Sequence, residues 1–515
     1  MDNLIPSWQS QGRTPPQYHN RGCEIPDTHL RGITLEVLED LANFVSSELN
    51  SGYHISDGYS QQNVSMETVN LYHVNDHFVK PLTQRDNCSF VELACSQCTP
   101  PRYFLSHWWG TPLMDTIRML KLHRETCKEV DRFEDNAAYT VWICTFANRQ
   151  HSLEELSATD YLDTPFARAI LSEQCRGTVL LLNELNATPF TRSWCIFEAF
   201  VSLTHAKSKG PEPAHHSRRR TRPYRLDAAT IISKGQCDSA GESNERCAGL
   251  LIGLTEFDES GVLTAANDNK LSMVTDHEIS ANGENPAGSA WFPLQVAMTG
   301  IRLNILHARA TMESDEQNIR LWVGDKADEI NAALRKGFVR PALKAAVLAC
   351  NVVMLREIFE SQIIPNEALV RIVGELDLLT TLLSSSFVKK EECTPQRDQE
   401  VAECIRCLLS NGCDPNYPYM GLESMVHPLG VALVTKMHES ARVLLEFGAD
   451  PKKLGIVDLL SVSYKDCPDD ILDTLREHGV VMKGRCMRAC YPCCVCVWFC
   501  SYLCELKGAL FSQSS

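Results

Sequence analysis

Residues 176–200 read RGTVLLLNELNATPFTRSWCIFEAF and hold the strongest fold signal in the chain. The uninterrupted run Thr178–Leu182 is typical of a strand whose two faces are both covered, as in a parallel sheet. The following stretch, Trp194–Leu203, has the apolar spacing of a helix. Residues 176–200 therefore predict one strand–helix unit of an α/β fold.

The same alternation continues on both sides of this unit. The runs Tyr103–Leu105 and Tyr139–Phe146 predict two earlier strands, and Tyr224–Ala229 predicts a later one. The intervening helices are predicted at Leu113–Leu122 and from Pro165, which suits a first helical turn. Strands that alternate with helices predict an α/β domain with a parallel sheet over residues 99–325.

Composition and charge narrow the class of protein. Hydrophobic residues make up 44% and charged residues 22% of the 515 residues, which is typical of globular domains. The net charge of −16 disfavours nucleic acid as a partner. No apolar run is long enough to span a bilayer, and the N-terminus has no signal-peptide pattern. The sequence therefore predicts a cytoplasmic protein whose 23 cysteines are mainly reduced thiols.

The segments around the α/β domain have different compositions. Residues 1–30 are polar and rich in Pro and Gln, which predicts a disordered tail. Residues 31–98 contain one helical pattern and are predicted to be an N-terminal helical extension. Residues 206–224 are predicted to be an insertion, whose arginine run is either a nuclear signal or a solvated loop. The polar region 235–290 receives no assigned role.

A repeat is visible in the C-terminal half. Residues 404–416 read CIRCLLSNGCDPN and residues 440–452 read SARVLLEFGADPK, with matching positions offset by 36 residues. In each copy a helix ends at a glycine, and Asp-Pro then begins a turn. The pattern resembles ankyrin repeats over residues 338–483, which implies an all-α solenoid. Such a solenoid either binds a protein partner or supports the α/β domain by stacking.

Three motifs stand out: the first ends a predicted strand, the second lies in a predicted strand, and the third begins a predicted helix. They are SHWWG at 106–110, VWIC at 141–144 with Asn148 and Gln150 after it, and RSWCIFE at 192–198. Together they resemble TIR domains and the fungal heterokaryon-incompatibility domain. They are also similar to uncharacterised protist proteins with a Ser-His-Trp-Trp-Gly motif. The resemblance implies a flavodoxin-like parallel sheet and a domain that self-associates.

The TIR resemblance also implies a candidate active site. In enzymatic TIR domains, the glutamate after Trp-Cys supports cleavage of the nicotinamide–ribose bond of NAD, and here that residue is Glu198. A carboxylate can stabilise the oxocarbenium character that develops on the ribose. The candidate NAD-binding residues are Ser106, His107, Trp109, Gly110 and Trp194. The structural alternative is that Glu198 caps or pairs within the first turn of its helix.

Other residues have competing interpretations. Trp108 and Trp109 either stack on a ring of the ligand or cover the core, and Trp194 also suits a core position. The pair Cys95 and Cys98 is interpreted as two thiols rather than as half of a zinc site, so no metal ligand is assigned. No cofactor is assigned either, since NAD is a substrate in the enzyme interpretation, and glycine-rich nucleotide loops are missing from the sequence.

Seven of the 23 cysteines lie in the segment 484–515, around the run CYPCCVCVWFCSYLC at 490–504. Flanking basic residues favour an S-acylated anchor on a membrane surface. The candidate lipidation sites are Cys493, Cys494, Cys496, Cys500 and Cys504. The alternatives are a capping helix with buried cysteines and a zinc site.

Taken together, these patterns predict a signalling or defence-type scaffold in which a TIR-like domain is joined to a protein-binding ankyrin-like solenoid. The alternative is an NAD glycohydrolase that uses Glu198. The two hypotheses differ in one structural expectation. A solvent-open pocket around Ser106, Trp109 and Glu198 favours the enzyme, whereas a filled sheet edge favours the scaffold.

Overall fold

A computed structural model describes most of the chain and divides it into two compact units. The first unit comprises residues 1–283 and 290–337, and the second comprises residues 284–289 and 338–515. The described residues are 6–55, 63–131, 139–152, 160–183, 187–208, 224–233, 246–251, 271–274, 290–310, 313–348, 350–360, 378–379, 382–383, 394–417, 419–420, 425–454 and 467–480.

The first unit alternates strands and helices along the chain. Its strands are β1 Ile33–Thr34, β2 Tyr103–Ser106, β3 Thr140–Trp142, β4 Gly177–Leu182, β5 Arg225–Ser233, β6 Arg246–Leu251, β7 Leu271–Val274 and β8 Ala290–Pro293. Its helices are α1 Ser7–Ser10, α2 Leu35–Asn50, α3 Leu71–Val74, α4 Lys80–Thr83, α5 Phe90–Ala94, α6 Leu113–Asp131, α7 Cys144–Ala147, α8 Pro165–Leu171, α9 Ser193–Ser208, α10 Leu294–Ile301 and α11 Glu313–Val323. A helix α12, Ala327–Leu348, follows.

Six strands form the main sheet in the order β1-β3-β2-β4-β5-β6. The four central strands run parallel, whereas β1 pairs antiparallel with β3 and β6 pairs antiparallel with β5. β7 and β8 form a separate parallel pair. The prediction of an α/β domain is therefore confirmed, but the sheet is mixed, and it begins with residues 33–34, outside the predicted range 99–325.

Both faces of the main sheet are covered. Because side chains alternate along a strand, one face of β2 and β4 contributes Tyr103, Leu105, Val179 and Leu181 to a cluster that includes α2 and α6. The other face is covered by α8 and α9, where Phe104 stacks on Trp142 with ring centroids 5.1 Å apart. Two covered faces explain why the β4 sequence is almost entirely apolar.

The N-terminal residues are part of this core, and the expectation of a disordered tail over residues 1–30 is wrong for residues 6–30. Trp8 is fully buried, with its ring 5.2 Å from Phe44 and 5.7 Å from Phe78. Tyr18 and Ile25 are also buried. The segment is polar on average, but a few large apolar side chains are enough to dock it, because each buries a large area.

The segment 31–98, predicted as a helical extension, also contributes to the sheet. Ile33 and Thr34 of β1 pair with Val141 and Thr140 of β3, and α2 follows directly. Thr34 caps α2 by accepting a hydrogen bond from the Val37 N–H. Of the predicted insertion 206–224, residues 209–223 lie outside the described residues.

The second unit contains stacked helices and one hairpin. Its elements are α13 Val352–Glu360, α14 Pro395–Ser410, β9 Tyr419–Met420, β10 Met425–Val426, α15 Pro428–Val434, α16 His438–Glu446 and α17 Asp469–Glu477. α14 packs against both α13 and α16, and α15 packs against α16. β9 and β10 pair antiparallel.

Three of these helices end in the same way. Gly412, Gly448 and Gly479 have φ angles of 96°, 86° and 76°, which glycine adopts without a steric penalty. In each case the N–H after the glycine bonds to the carbonyl five residues earlier, which is the Schellman motif. The leucines that supply these carbonyls are Leu408, Leu444 and Leu475, and all are fully buried. Sequence and backbone geometry thus repeat together.

Side chains also join successive loops in this unit. The Asn416 amide donates to the Gly448 carbonyl at 3.0 Å and accepts from the Asp450 N–H at 2.7 Å. Buried Asp398 on α14 caps α16 by accepting bonds from the N–H groups of Glu439 and Ser440, at 2.7 and 3.0 Å. These bonds fix the register between neighbouring helices.

Candidate functional site

The centre of the candidate site is a pair of side chains from β2 and α9. Ser106 is the last residue of β2, and Glu198 lies in the second turn of α9. The Ser106 hydroxyl donates a hydrogen bond of 2.5 Å to Oε2 of Glu198. Ser106 is fully buried and only 5% of Glu198 is exposed, so the structure brings these two predicted residues together inside the protein.

The pair lies where open α/β sheets commonly bind ligands. From β2 the chain continues to β3 on one side, whereas from β4 it continues to β5 on the other side. The connections therefore reverse direction between the neighbouring strands β2 and β4. Ligands bind at the carboxyl ends of strands next to such a reversal. The position agrees with the site expectation, but the burial of both side chains does not provide an open pocket.

Burial changes the charge of Glu198. Removal from water raises the pKa of its carboxyl from the usual 4.5 to about 8, and the hydrogen bond from Ser106 offsets part of this effect. Glu198 is therefore mainly a neutral acid at pH 7. A neutral carboxyl cannot stabilise a developing cation until it is ionised, so catalysis with Glu198 requires the site to open or the proton to leave.

His107, the next residue after β2, is also buried. Burial lowers its pKa to about 4, while a bond to the Leu105 carbonyl opposes this change, so the imidazole is neutral at pH 7. Its Nδ1 lies 3.4 Å from the Leu105 oxygen. Its Nε2 is buried and has no hydrogen-bond partner among the described residues. His107 therefore offers the site a neutral ring nitrogen with unused bonding capacity.

Two cysteines that the sequence did not assign complete the surroundings of Glu198. Burial raises the pKa of the Cys144 thiol to about 12, and the nearby Glu198 adds to the effect. Burial followed by Glu198 likewise raises the pKa of Cys195 well above its usual value. Both side chains are therefore thiols at neutral pH, which does not suit a nucleophile. The sequence signal for Cys144 was its place at the end of VWIC.

The SHWWG loop is held by packing. The Trp109 indole N–H donates to Sγ of Cys144 at 3.0 Å, and its ring lies 5.4 Å from that of Tyr72. A side chain at Gly110 would collide with the indole ring of Trp108, so glycine is required for this ring to fold over the loop. These contacts account for the paired tryptophans and the glycine without a ligand.

Trp194 belongs to an aromatic cluster rather than to the Ser106–Glu198 pair. Its ring stacks on Phe166 at 4.9 Å and lies 5.8 Å from Phe197 and 6.4 Å from Trp322. Its indole N–H donates to Oδ2 of Asp315 at 2.9 Å. Trp194 therefore fixes α9 to α8 and α11, as its core interpretation requires.

After β3, the Gln150 side chain bonds to backbone carbonyls of its own loop. The Gln150 amide donates to the Thr145 carbonyl at 2.9 Å and to the carbonyls of Cys144 and Asn148 at 3.4 Å. This role resembles a cap on the short helix α7, whose last carbonyls lack partners within the helix. Gln150 thus has a structural use that needs no substrate.

Comparisons with known proteins do not assign a family. No family model matches the chain, and no curated protein or solved structure matches it significantly. Among the described residues, none of the helices combines the length and hydrophobicity needed to cross a bilayer. The predicted lipidation sites at Cys493, Cys494, Cys496, Cys500 and Cys504 lie outside the described residues.

Proposed function

We propose that this protein is a signalling or defence-type scaffold, with a TIR-like, flavodoxin-like α/β domain and an ankyrin-like solenoid that binds a protein partner. The observation that carries the proposal is the closed state of the motif residues. Ser106 and Glu198 bond to each other, Trp109 bonds to Cys144, and Trp194 bonds to Asp315. The motifs thereby stabilise the domain, and its outer surface remains for interactions.

Strand order supports the flavodoxin-like part of the proposal. Across the sheet the parallel strands lie in the order β3-β2-β4-β5. Numbered along the chain, these are the second, first, third and fourth parallel strands. This is the beginning of the flavodoxin-like order. The added strands β1 and β6 run antiparallel at the two ends, and they distinguish this sheet from a simple doubly wound one.

The repeated helix ends support the solenoid part. The offset of 36 residues between the two sequence copies is close to the period of about 33 residues in ankyrin repeats. The hairpin β9–β10 before the pair α15 and α16 follows the ankyrin order of a turn and then two helices. The Asn416 bonds between successive loops fit a stack of repeats.

Partner binding can be tested at exposed apolar residues of the second unit. Val353 and Tyr417 are 72% and 46% exposed, so aspartate is tolerated there without disturbing the core. We expect Val353→Asp and Tyr417→Asp to abolish in-cell cross-linking of the full chain to its partner. The matched control is Leu321→Asp in the first unit, where the side chain is 78% exposed. Equal cross-linking of all three variants and the parent would contradict the solenoid proposal.

A second candidate function, NAD glycohydrolase, is favoured by one specific observation. Strongly shifted pKa values cluster at active sites, and the raised pKa of Glu198 lies beside the lowered pKa of His107 at the ligand-binding end of the sheet. Incubation of the full chain with NAD tests this function. Nicotinamide release that disappears in Glu198→Gln but persists in the exposed control Glu313→Gln would establish the enzyme. No release from the parent protein, even when clustered, removes this candidate.

A further inference from the structure

Three side chains with metal-binding atoms meet on the opposite face of the sheet from Glu198, the face that α6 covers. His123 and Cys127 are one turn apart on α6 and therefore share a helix face. Asp227 is the third residue of the strand β5. All three are fully buried, and their nitrogen, sulfur and oxygen atoms lie within 4.8 Å of one another. Nothing in the proposed scaffold function uses this cluster.

The spacing of the donor atoms suits three of the four ligand positions around a tetrahedral ion. Nε2 of His123 lies 3.4 Å from Sγ of Cys127 and 2.9 Å from Oδ2 of Asp227. Zinc bonds of about 2.0 Å to nitrogen or oxygen and about 2.3 Å to sulfur put neighbouring ligand atoms roughly 3.3–3.6 Å apart. The nitrogen–sulfur separation already fits, and the nitrogen–oxygen separation has to open by less than about 1 Å. The sulfur, which lies 3.7 Å from Nδ1 and thus beside the ring, has to turn toward the lone pair of Nε2.

The groups behind these donors are those that support a metal site. The Tyr139 hydroxyl lies 2.7 Å from Nδ1 of His123, which leaves Nε2 as the ring nitrogen available to an ion. In metal sites the second ring nitrogen of a ligating histidine is held in this way. Nη2 of Arg225 donates to Sγ of Cys127 at 3.0 Å and to Oδ2 of Asp227 at 3.2 Å. Such N–H donors stabilise a thiolate and a carboxylate that share an ion.

We propose that His123, Cys127 and Asp227 form a structural site for a divalent transition metal of the zinc class. Binding expels the thiol proton of Cys127 and the proton held between Nε2 of His123 and Asp227. One divalent ion replaces two protons, so the net charge of the buried cluster does not change. Arg225 therefore meets no additional positive charge when the ion binds, and it keeps its two acceptors.

The ion has a structural role at this position. It links α6 to β5 on one face of the sheet, and its three ligands are closed to solvent. No substrate reaches a site with these properties, and the ion instead stabilises the fold according to its free concentration. Because the ligands are buried, the ion is expected to bind during folding rather than by diffusion into the folded domain.

Refolding with cobalt tests the proposal. The full chain is used in a background where the seven cysteines of residues 484–515 are serine, which removes competing thiols. It is unfolded with a chelator and refolded with Co²⁺. We expect one ion per chain and a thiolate-to-cobalt charge-transfer band. The band should be lost in Cys127→Ser and Asp227→Asn, and it should persist in the controls Cys88→Ser, a buried thiol, and Cys98→Ser, an exposed one.

Several results would overturn the site. They are no cobalt band in the refolded parent, an unchanged band in Cys127→Ser, or a band lost in Cys98→Ser instead. If Cys127→Ser does not fold, X-ray absorption of the zinc-loaded parent decides the matter. One sulfur with nitrogen and oxygen neighbours supports the site, and two or more sulfurs contradict it. Tyr139→Phe keeps all three ligands and should weaken binding by about 10- to 100-fold.

Discussion

Replacement of Glu198, the candidate catalytic residue, by glutamine should remove a loss of fold stability that occurs as pH rises. In the folded protein the pKa of Glu198 is about 8, compared with its usual 4.5, because burial disfavours the charged form. Between these two values the folded chain holds a proton that the unfolded chain releases. Wild-type stability therefore falls as pH rises from 4.5 toward 8, whereas a glutamine has no such dependence.

The size of the effect follows from the same two pKa values. Every tenfold difference in proton affinity between the folded and unfolded chain corresponds to about 1.4 kcal/mol. Ionisation of Glu198 in the unfolded chain therefore lowers the stability of the fold by less than about 1 kcal/mol at pH 5 and by about 3 kcal/mol at pH 7. The glutamine amide keeps an acceptor for Ser106, and its unpaired N–H groups cost about 1–3 kcal/mol at every pH. The stability of Glu198→Gln relative to wild type should therefore rise by about 3–4 kcal/mol between pH 5 and pH 8.

Urea unfolding followed by tryptophan fluorescence measures this difference. Seven of the eight tryptophans lie in the first unit, so the signal mainly reports the domain that contains Glu198. The exposed Glu313→Gln should follow wild type at every pH. A constant difference between Glu198→Gln and wild type across this pH range, or one that shrinks as pH rises, would refute the picture of a buried, protonated Glu198.

Three further predictions concern stability. Burial alone would raise the pKa of Glu92, but backbone N–H groups and arginines outweigh it and hold the pKa near 2. Glu92→Gln should therefore lower the free energy of unfolding by about 3 kcal/mol at neutral pH, and this loss should fade as pH falls from 4.5 to 2. In the same urea titrations the exposed control Glu24→Gln should show no measurable loss of stability. Trp8→Ala should cost about 3–5 kcal/mol and lower the thermal midpoint, whereas no change would mean that the N-terminal segment is not docked. Asn416→Ala removes two loop bonds and should cost about 1–3 kcal/mol, seen as faster amide exchange at Asp450, and unchanged exchange would contradict the register role.

Local pattern was sufficient for the four parallel strands of the main sheet and for the helices α2, α6, α8 and α9, but it did not predict β1, β6, β7 or β8. The run at Thr178–Leu182 was recognisable because its residues are buried on both faces, and the observed strand Gly177–Leu182 includes it. The strand predicted at Tyr139–Phe146 is shorter, Thr140–Trp142, because the chain turns into α7 at Cys144. Boundaries of this kind depend on tertiary contacts and not on composition.

Contacts between distant residues were beyond the reach of sequence patterns. The motifs correctly located Ser106 and Glu198 at strand and helix ends, but only the fold shows that the two bond directly and are closed to solvent. The docking of Trp8 was hidden because its neighbours in sequence are polar. His123, Cys127 and Asp227 carry no recognisable motif, since two lie on a helix and the third follows 100 residues later on a strand.

The docked N-terminal segment has a consequence for synthesis and recognition. Trp8 leaves the ribosome before its partners Phe44 and Phe78, so the segment stays accessible until they emerge. In the finished protein it cannot serve as a free arm that reaches for other molecules. A protease or antibody directed at residues 6–30 would therefore distinguish nascent or damaged chains from intact ones.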